Sequence, residues 1–412
     1  MRYLAAIAFL AVACGSKETP QNTLTDSEGE VAEDAVLPKC ELAVSKGPWV
    51  VAVDETSAKV RWESCRSGGG ALAFAAEGSP EKKTAPSVVR EAIVTTTNLA
   101  PLRPGAVDLP GTYFMHEVAL TALPPATCFA YETAQDPTAK GRFCTARKSG
   151  DAFSFAVIGD TNPGFGAIEK LLDTTYGTKP DFTIHQGDLQ YYASGLETYS
   201  FWMDKMRPML RTGAFYPAIG NHETEQPKER EEYVERFFGK AGFDGNSDYY
   251  RFQSGGVWFF ALDTEIDFDE KNAQGVWLQE KLDDATKQPG YRFSVLYMHR
   301  PFVTCGDKSQ NGALRARFLP LFQKSNVKLV IAGHMHGYER FEMDDITWIT
   351  SAGGGGALGK IDENATRPEC FNRKSSGAFW NATVITVKPG EITGTTYDDK
   401  SASRDTFSRV VP

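Results

Sequence analysis

Apolar residues along this chain fall into short runs, and five of those runs stop at a residue whose side chain can hold a metal. Phe153–Ile158 leads to Gly159-Asp160 and Phe182–His185 to Gln186-Gly187-Asp188. Phe215–Ile219 leads to Gly220-Asn221-His222-Glu223, Phe293–Met298 to His299-Arg300, and Val327–Ala332 to Gly333-His334-Met335-His336. Short runs that are apolar throughout are expected of strands buried on both faces. Helical patterns fill the intervals at Ala167–Tyr176, Gly195–Leu210, Lys228–Phe238, Gly275–Lys287 and Gly312–Phe322. Strands alternating with helices predict an α/β domain over residues 152–412.

The N-terminal third has another pattern. Pro48–Val53 and Ser57–Trp62 alternate around an Asp-Glu-Thr turn; His116–Leu120 and Cys128–Glu132 add further short strands. Strands of this length and spacing predict an all-β sandwich over residues 40–148. His116 lies on one of them, far in sequence from the other histidines, and is expected to be structural. Residues 15–38 are polar and acidic without periodicity, as in a flexible tether. Before them, Met1-Arg2 and the apolar Tyr3–Ala13 form a signal peptide too short to span a bilayer.

Five strand tips in one α/β domain would converge, because the loops at the carboxyl ends of its strands meet there. His334 and His336 stand at i and i+2 at an extended tip, so both point to one side. The chain holds only six histidines, and two of them are here. Convergence predicts one metal cluster from Asp160, Asp188, Tyr191, Asn221, His299, His334 and His336.

The order Gly-Asp, Gly-Asp-x-x-Tyr, Gly-Asn-His-Glu, a His after an apolar strand, then Gly-His-x-His resembles the calcineurin-like metallophosphoesterases. Tyr191, three residues after Asp188, and the Tyr338-Glu339-Arg340 tail narrow the resemblance to the purple acid phosphatases. It spans residues 40 to the C-terminus, since Leu123-x-Pro125-x-Thr127 running into an aromatic strand resembles a fibronectin type III module. Thr161-Asn162 departs from the family, which more often has an apolar or aromatic residue and then glycine after the first aspartate.

The resemblance implies an αββα four-layer sandwich behind the N-terminal all-β sandwich, with Phe379–Val387 and Ile392–Tyr397 as a hairpin of the second sheet. It implies two metal ions, Fe(III) and a divalent Fe, Zn or Mn. Asp160, Asp188, Tyr191 and His336 would hold one; Asp188, Asn221, His299 and His334 would hold the other. The activity implied is hydrolysis of phosphate monoesters at acidic pH, by in-line attack of a metal-bound hydroxide. Substrate would meet Asn221, His222 and Arg300, with His222 as the proton donor and Glu223 orienting it. A phosphodiesterase of the same superfamily is the alternative, and a binding module with a vestigial metal site is a more distant one. The glycine run Gly353–Gly356 lacks a phosphate-loop signature and predicts a close backbone approach near the site.

Length, charge and cysteines refine this picture. The 412 residues suffice for two cores, and a net charge of −9 argues against nucleic acid as a partner. Leu10-Ala11-Val12-Ala13-Cys14 resembles a bacterial lipobox, so Cys14 is expected to carry a lipid anchor. The protein would then be exported to the outer membrane or cell envelope, periplasmic or surface-facing. The remaining six of the seven cysteines suit disulfides in an exported protein. Fifteen pairings are possible; local placement favours Cys40–Cys65, Cys128–Cys144 and Cys305–Cys370.

Overall fold

Among the described residues, eight strands build the N-terminal part: β1 (Lys46–Val51), β2 (Ala58–Ser64), β3 (Ala71–Ala76), β4 (Lys83–Pro86), β5 (Val88–Val94), β6 (Gly111–Leu120), β7 (Cys128–Thr133) and β8 (Lys140–Cys144). The structure is a computed structural model describing residues 40–94, 111–162, 168–189, 191, 199–225, 229–239 and 248–412. The signal peptide, lipobox and tether expected at 1–38 lie outside the described residues. The eight strands form two antiparallel sheets, ordered β1-β2-β6-β5 and β4-β3-β7-β8. Trp49, Trp62, Phe129 and Phe143 are buried among them. His116 is structural: it stacks on Trp62 at 4.8 Å and lies 3.0 and 2.9 Å from the Ser64 and Ser87 hydroxyls. Burial holds its pKa down at about 4.

The rest of the chain forms two larger mixed sheets. The first runs β11 (Ala214–Pro217), β10 (Phe182–His185), β9 (Phe153–Ile158), β19 (Asn381–Lys388), β20 (Glu391–Asp398), β21 (Ser403–Val410). The second runs β12 (Tyr250–Ser254), β13 (Val257–Ala261), β14 (Phe293–Met298), β15 (Val327–Ala332), β17 (Ile346–Ser351), β16 (Tyr338–Met343), β18 (Arg373–Gly377). Helices α1 (Glu169–Gly177), α2 (Tyr199–Lys205), α3 (Arg207–Leu210), α4 (Glu229–Phe238), α5 (Ala273–Thr286) and α6 (Gly312–Lys324) complete the chain.

The doubly buried strands explain the layering. On β14, Val295 and Tyr297 join the core shared with Phe155 and Ile385 of the first sheet. Leu296 and Met298 point the other way, into a core with Leu278 and Leu282 of α5 and Phe318 and Phe322 of α6. On the far side, Leu171 and Leu172 of α1 pack against the first sheet. The result is helix, sheet, sheet, helix, with the all-β part ahead of it. One expectation is corrected. The C-terminal hairpin belongs to the first sheet, where β19 pairs antiparallel with β9; alternation predicts a hairpin but carries no information about its neighbour.

Helix α4 joins the two parts. Arg236 and Lys46 both grip Glu63 of β2, the lysine at 2.8 Å, and all three residues are buried. Arg61 Nη2 donates to the Glu235 carbonyl at 2.9 Å. The same helix donates from Tyr233 Oη to the Ala218 carbonyl at 3.1 Å and pairs Arg230 with Asp263. The three disulfides are those favoured by local placement: Cys40–Cys65, Cys128–Cys144 and Cys305–Cys370.

Candidate metal centre

β9 and β10 run parallel, as do β14 and β15, so the loops after them emerge on the same edge of their sheets. Asp160 follows β9, Asp188 follows β10, Asn221 and His222 follow β11, His299 follows β14, and His334 and His336 follow β15. Asp160, Asp188 and His334 turn out of their strands with φ of +55°, +53° and +68°. Few side chains other than glycine adopt this conformation, and such strain concentrates where a surrounding site fixes it. The tight turns need empty neighbours: a Cβ on Gly220 would sit 2.2 Å from Asp188 Oδ1.

All seven expected ligands lie in one cluster. Donor atoms of Asp160, Asp188 and His336 fall within 4.8 Å of one another, and so do those of Asp188, His299 and His334. Asp188 belongs to both groups. Tyr191 adds its hydroxyl to the first group, 3.0 Å from His336 Nε2 and 3.4 Å from Asp160 Oδ1. Asn221 adds its amide oxygen to the second, 3.1 Å from His299 Nε2. Tyr192, the neighbour that could replace Tyr191 by a one-residue shift, lies outside the described residues.

The donor set fits two cations. Carboxylates, imidazoles, an amide oxygen and a phenol suit hard to borderline metals. His299 Nδ1 donates to the Gln186 carbonyl at 2.8 Å and His336 Nδ1 to the Ala357 carbonyl at 2.6 Å. Each bond fixes the tautomer that leaves a bare Nε2 facing the cluster, which is the usual support of a metal-binding histidine.

Electrostatics agree. Burial opposes the charge on Asp188, but the His299 imidazole holds its carboxyl below the usual carboxylate range. Burial likewise opposes the charge on His299, and Asp188 outweighs it to raise that pKa to about 10. His334 is pushed down to about 3 by burial and then by His299 and Arg300. Burial, Asp160 and Asp188 drive the Tyr191 phenol well above its usual value, so a phenolate there requires a strong positive charge beside it.

Three side chains surround the ligands, and the first departs from expectation. Glu223 does not orient His222. Its buried carboxylate accepts the backbone N–H groups of Asp188, Leu189 and Gly220 at 2.8, 2.7 and 2.7 Å, splinting two ligand loops together. Burial and then Asp188 raise its pKa to about 8. The acid beside His222 is Glu225, whose Oε1 lies 2.8 Å from Nδ1. Arg300 is oriented by an ion pair: Nε and Nη2 both bind Glu265, at 2.9 and 2.7 Å, and Nη1 lies 3.2 Å from His334 Nε2. Thr161, the departure noted in the first loop, is a buried hub. It donates to the Leu189 carbonyl at 2.7 Å, receives Trp202 Nε1 at 3.0 Å and contacts His185 at 2.9 Å. The glycine run behaves as expected, with Gly354 N–H donating to the Gly159 carbonyl at 2.9 Å and Gly356 N–H to that of Asp160 at 3.1 Å.

Residues 153–338 match the calcineurin-like phosphoesterase family, and every expected ligand falls within that span. This chain carries a calcineurin-like phosphoesterase domain. Its relatives include purple acid phosphatases. Purple acid phosphatase 23 of Arabidopsis thaliana is 30% identical over 178 residues, 39% of this chain and 38% of that protein. A protein named "Probable inactive purple acid phosphatase 9", also of Arabidopsis thaliana, is 27% identical over 198 residues, 40% of this chain and 30% of that protein. The chain therefore spans less than half the length of these two relatives. In fold it resembles a purple acid phosphatase from yellow lupin (Lupinus luteus) seeds, with a TM-score of 0.72 at 16% identity, covering 91% of this chain and 75% of that one.

Proposed function

We propose that this chain is a dinuclear-metal phosphatase that hydrolyses phosphate monoesters at acidic pH. The observation that carries the reading is Asp188, a single carboxylate shared by two groups of donors. In it, Asp160, Asp188, Tyr191 and His336 hold Fe(III), and Asp188, Asn221, His299 and His334 hold a divalent Fe, Zn or Mn. Bound there, the two ions neutralise phosphoryl charge and acidify a water. The chain supplies the rest. His222 stands over Tyr191, ring centroids 4.0 Å apart, with Nε2 3.8 Å from Asp188 Oδ2. From that position it donates a proton to the leaving oxygen. Asn221 and His222 face the substrate, while Arg300, held by Glu265, contributes its remaining nitrogen at the rim.

A chromogenic monoester and diester assayed on metal-replete protein, with metal analysis, test the reading: monoester turnover with two metals per chain is expected. Preferential diester turnover would make it a diesterase, and no turnover of either would leave a binding module. Iron is tested through Tyr191. Aerobically purified protein is expected to be coloured, because a phenolate on Fe(III) absorbs visible light. Tyr191→Phe should bleach it and keep the divalent ion, while Tyr192→Phe should leave the colour alone. Colourless native protein with full activity and only zinc or manganese would remove Fe(III) from the proposal.

The proposal extends to location: an exported envelope lipoprotein anchored through Cys14. The lipobox-like Leu10–Cys14 supports it, and so do three disulfides, which persist in oxidising compartments. Cys14→Ser should release active enzyme into the soluble fraction; continued partition with membranes would overturn the anchor.

A further inference from the structure

Beside the centre lies a cavity of about 310 Å³ that none of the seven ligands lines. β13 and β14 are parallel neighbours, and the loops leaving their carboxyl ends form two of its walls; the residues leading into α6 form the third. Phe268, Phe302 and Leu314 make an apolar floor, each at most 9% exposed. Thr264, Ser309 and Asn311 stand on its sides. The walls are set before any ligand arrives. Thr264 Oγ1 accepts the Arg300 N–H at 2.9 Å, Asn311 N–H donates to the Pro301 carbonyl at 3.1 Å, and Asn311 Oδ1 accepts Leu314 N–H at 3.2 Å.

Arg300 connects this cavity to the metal centre, since it lines the cavity and places Nη1 3.2 Å from His334 Nε2. We infer that the cavity is the subsite for the alcohol part of the substrate and that it selects esters of compact, uncharged, ring-bearing alcohols. The inference rests on the monoesterase reading and narrows it to a substrate class. Size sets the first limit, because 310 Å³ is at the small end of ligand pockets and takes one ring system rather than a polymer. The floor sets the second: two phenylalanines and a leucine offer stacking and apolar contact to one ring face, while Thr264, Ser309 and Asn311 on the sides can meet a hydroxyl at the ring edge. Charge sets the third. The one cation in the walls, Arg300, is already neutralised by Glu265, and Asp267 on the rim repels an acidic ester group.

The test uses the full-length, metal-loaded protein and two phosphonates that cannot be hydrolysed, phenylphosphonate and methylphosphonate, with binding read by calorimetry. Phenylphosphonate is expected to bind about tenfold more tightly, the effect of burying one ring face. Ser309 is exposed and Ser309→Trp fills the cavity from its rim, so it should narrow that gap to about twofold by weakening the phenyl compound. Ile266→Ala, which strips one apolar wall, should narrow it partway. Equal binding of the two probes by the native protein, or a gap that survives Ser309→Trp, overturns the inference. Turnover is a separate readout. A protein that shows the gap but hydrolyses no monoester sinks the phosphatase reading and leaves the subsite standing.

Discussion

Asp188→Asn should empty both metal positions and abolish monoester hydrolysis while the protein still folds. The carboxylate sits in both donor groups, so one substitution removes charge from two cations. At about 4 Å and an effective dielectric near 20, each lost attraction is worth about 4 kcal/mol, roughly a thousandfold in affinity per ion. The loop itself should survive. Glu223 grips the backbone N–H of residue 188, not its side chain, and an amide oxygen can still accept the His222 N–H that Asp188 Oδ1 accepts at 2.9 Å. Metal content per chain, turnover and a melting curve in chelator are the measurements. Two retained metals with near-normal turnover would show that the bridge is elsewhere.

His222→Ala should keep both metals and slow hydrolysis by roughly 10²- to 10⁴-fold, the usual range for losing a positioned proton donor. The ring sits against Tyr191, centroids 4.0 Å apart and tilted by 46°, with Nδ1 2.8 Å from the exposed Glu225 carboxylate but not hydrogen-bonded to it. Among the described residues, Nε2 approaches Asp188 at 3.8 Å. A proton donor matters most when the departing alkoxide is basic. The loss should therefore shrink steadily as the leaving group becomes more acidic. An equal loss across a series of leaving groups would reduce His222 to a spacer, and a loss of metal would make it a ligand.

Much of the centre was legible because burial on both faces makes a strand a largely apolar run, and a metal-binding residue just past its end then stands out. β9, β10, β14 and β15 all read this way, and each delivers a ligand. β13 is about as buried but ends at Asp263, which pairs with Arg230 on α4 and belongs to neither donor group. What stayed hidden was pairing at a distance. Glu223 stands next to His222 in sequence, which favoured a partnership, yet its carboxylate answers N–H groups 34 and 35 residues away. Arg300 and Glu265 are likewise 35 residues apart, joined only because β13 and β14 are neighbours. The left-handed turns at Asp160, Asp188 and His334 leave only a weak mark in sequence, since aspartate and histidine tolerate such turns without requiring them as glycine often does.

Helix α4 gives the sandwich a stake in the chemistry. Along its short length it reaches Asp263 through Arg230, the strand end before Asn221 through Tyr233, and Glu63 of the sandwich through Arg236. The last contact is a buried carboxylate between two cations: losing Arg236 breaks a buried bond across the joint but leaves Glu63 on Lys46, whereas losing Glu63 strands both cations in a dry interior, a cost of about 3 to 5 kcal/mol. The boundary drawn by strand pattern near residue 150 is therefore not a line of cleavage. In a lineage that shuffled modules, a phosphoesterase core of this type could not change its N-terminal companion without rewriting Arg236. Sandwich and core are expected to travel as one heritable piece, with Glu63 as much a part of the second as of the first.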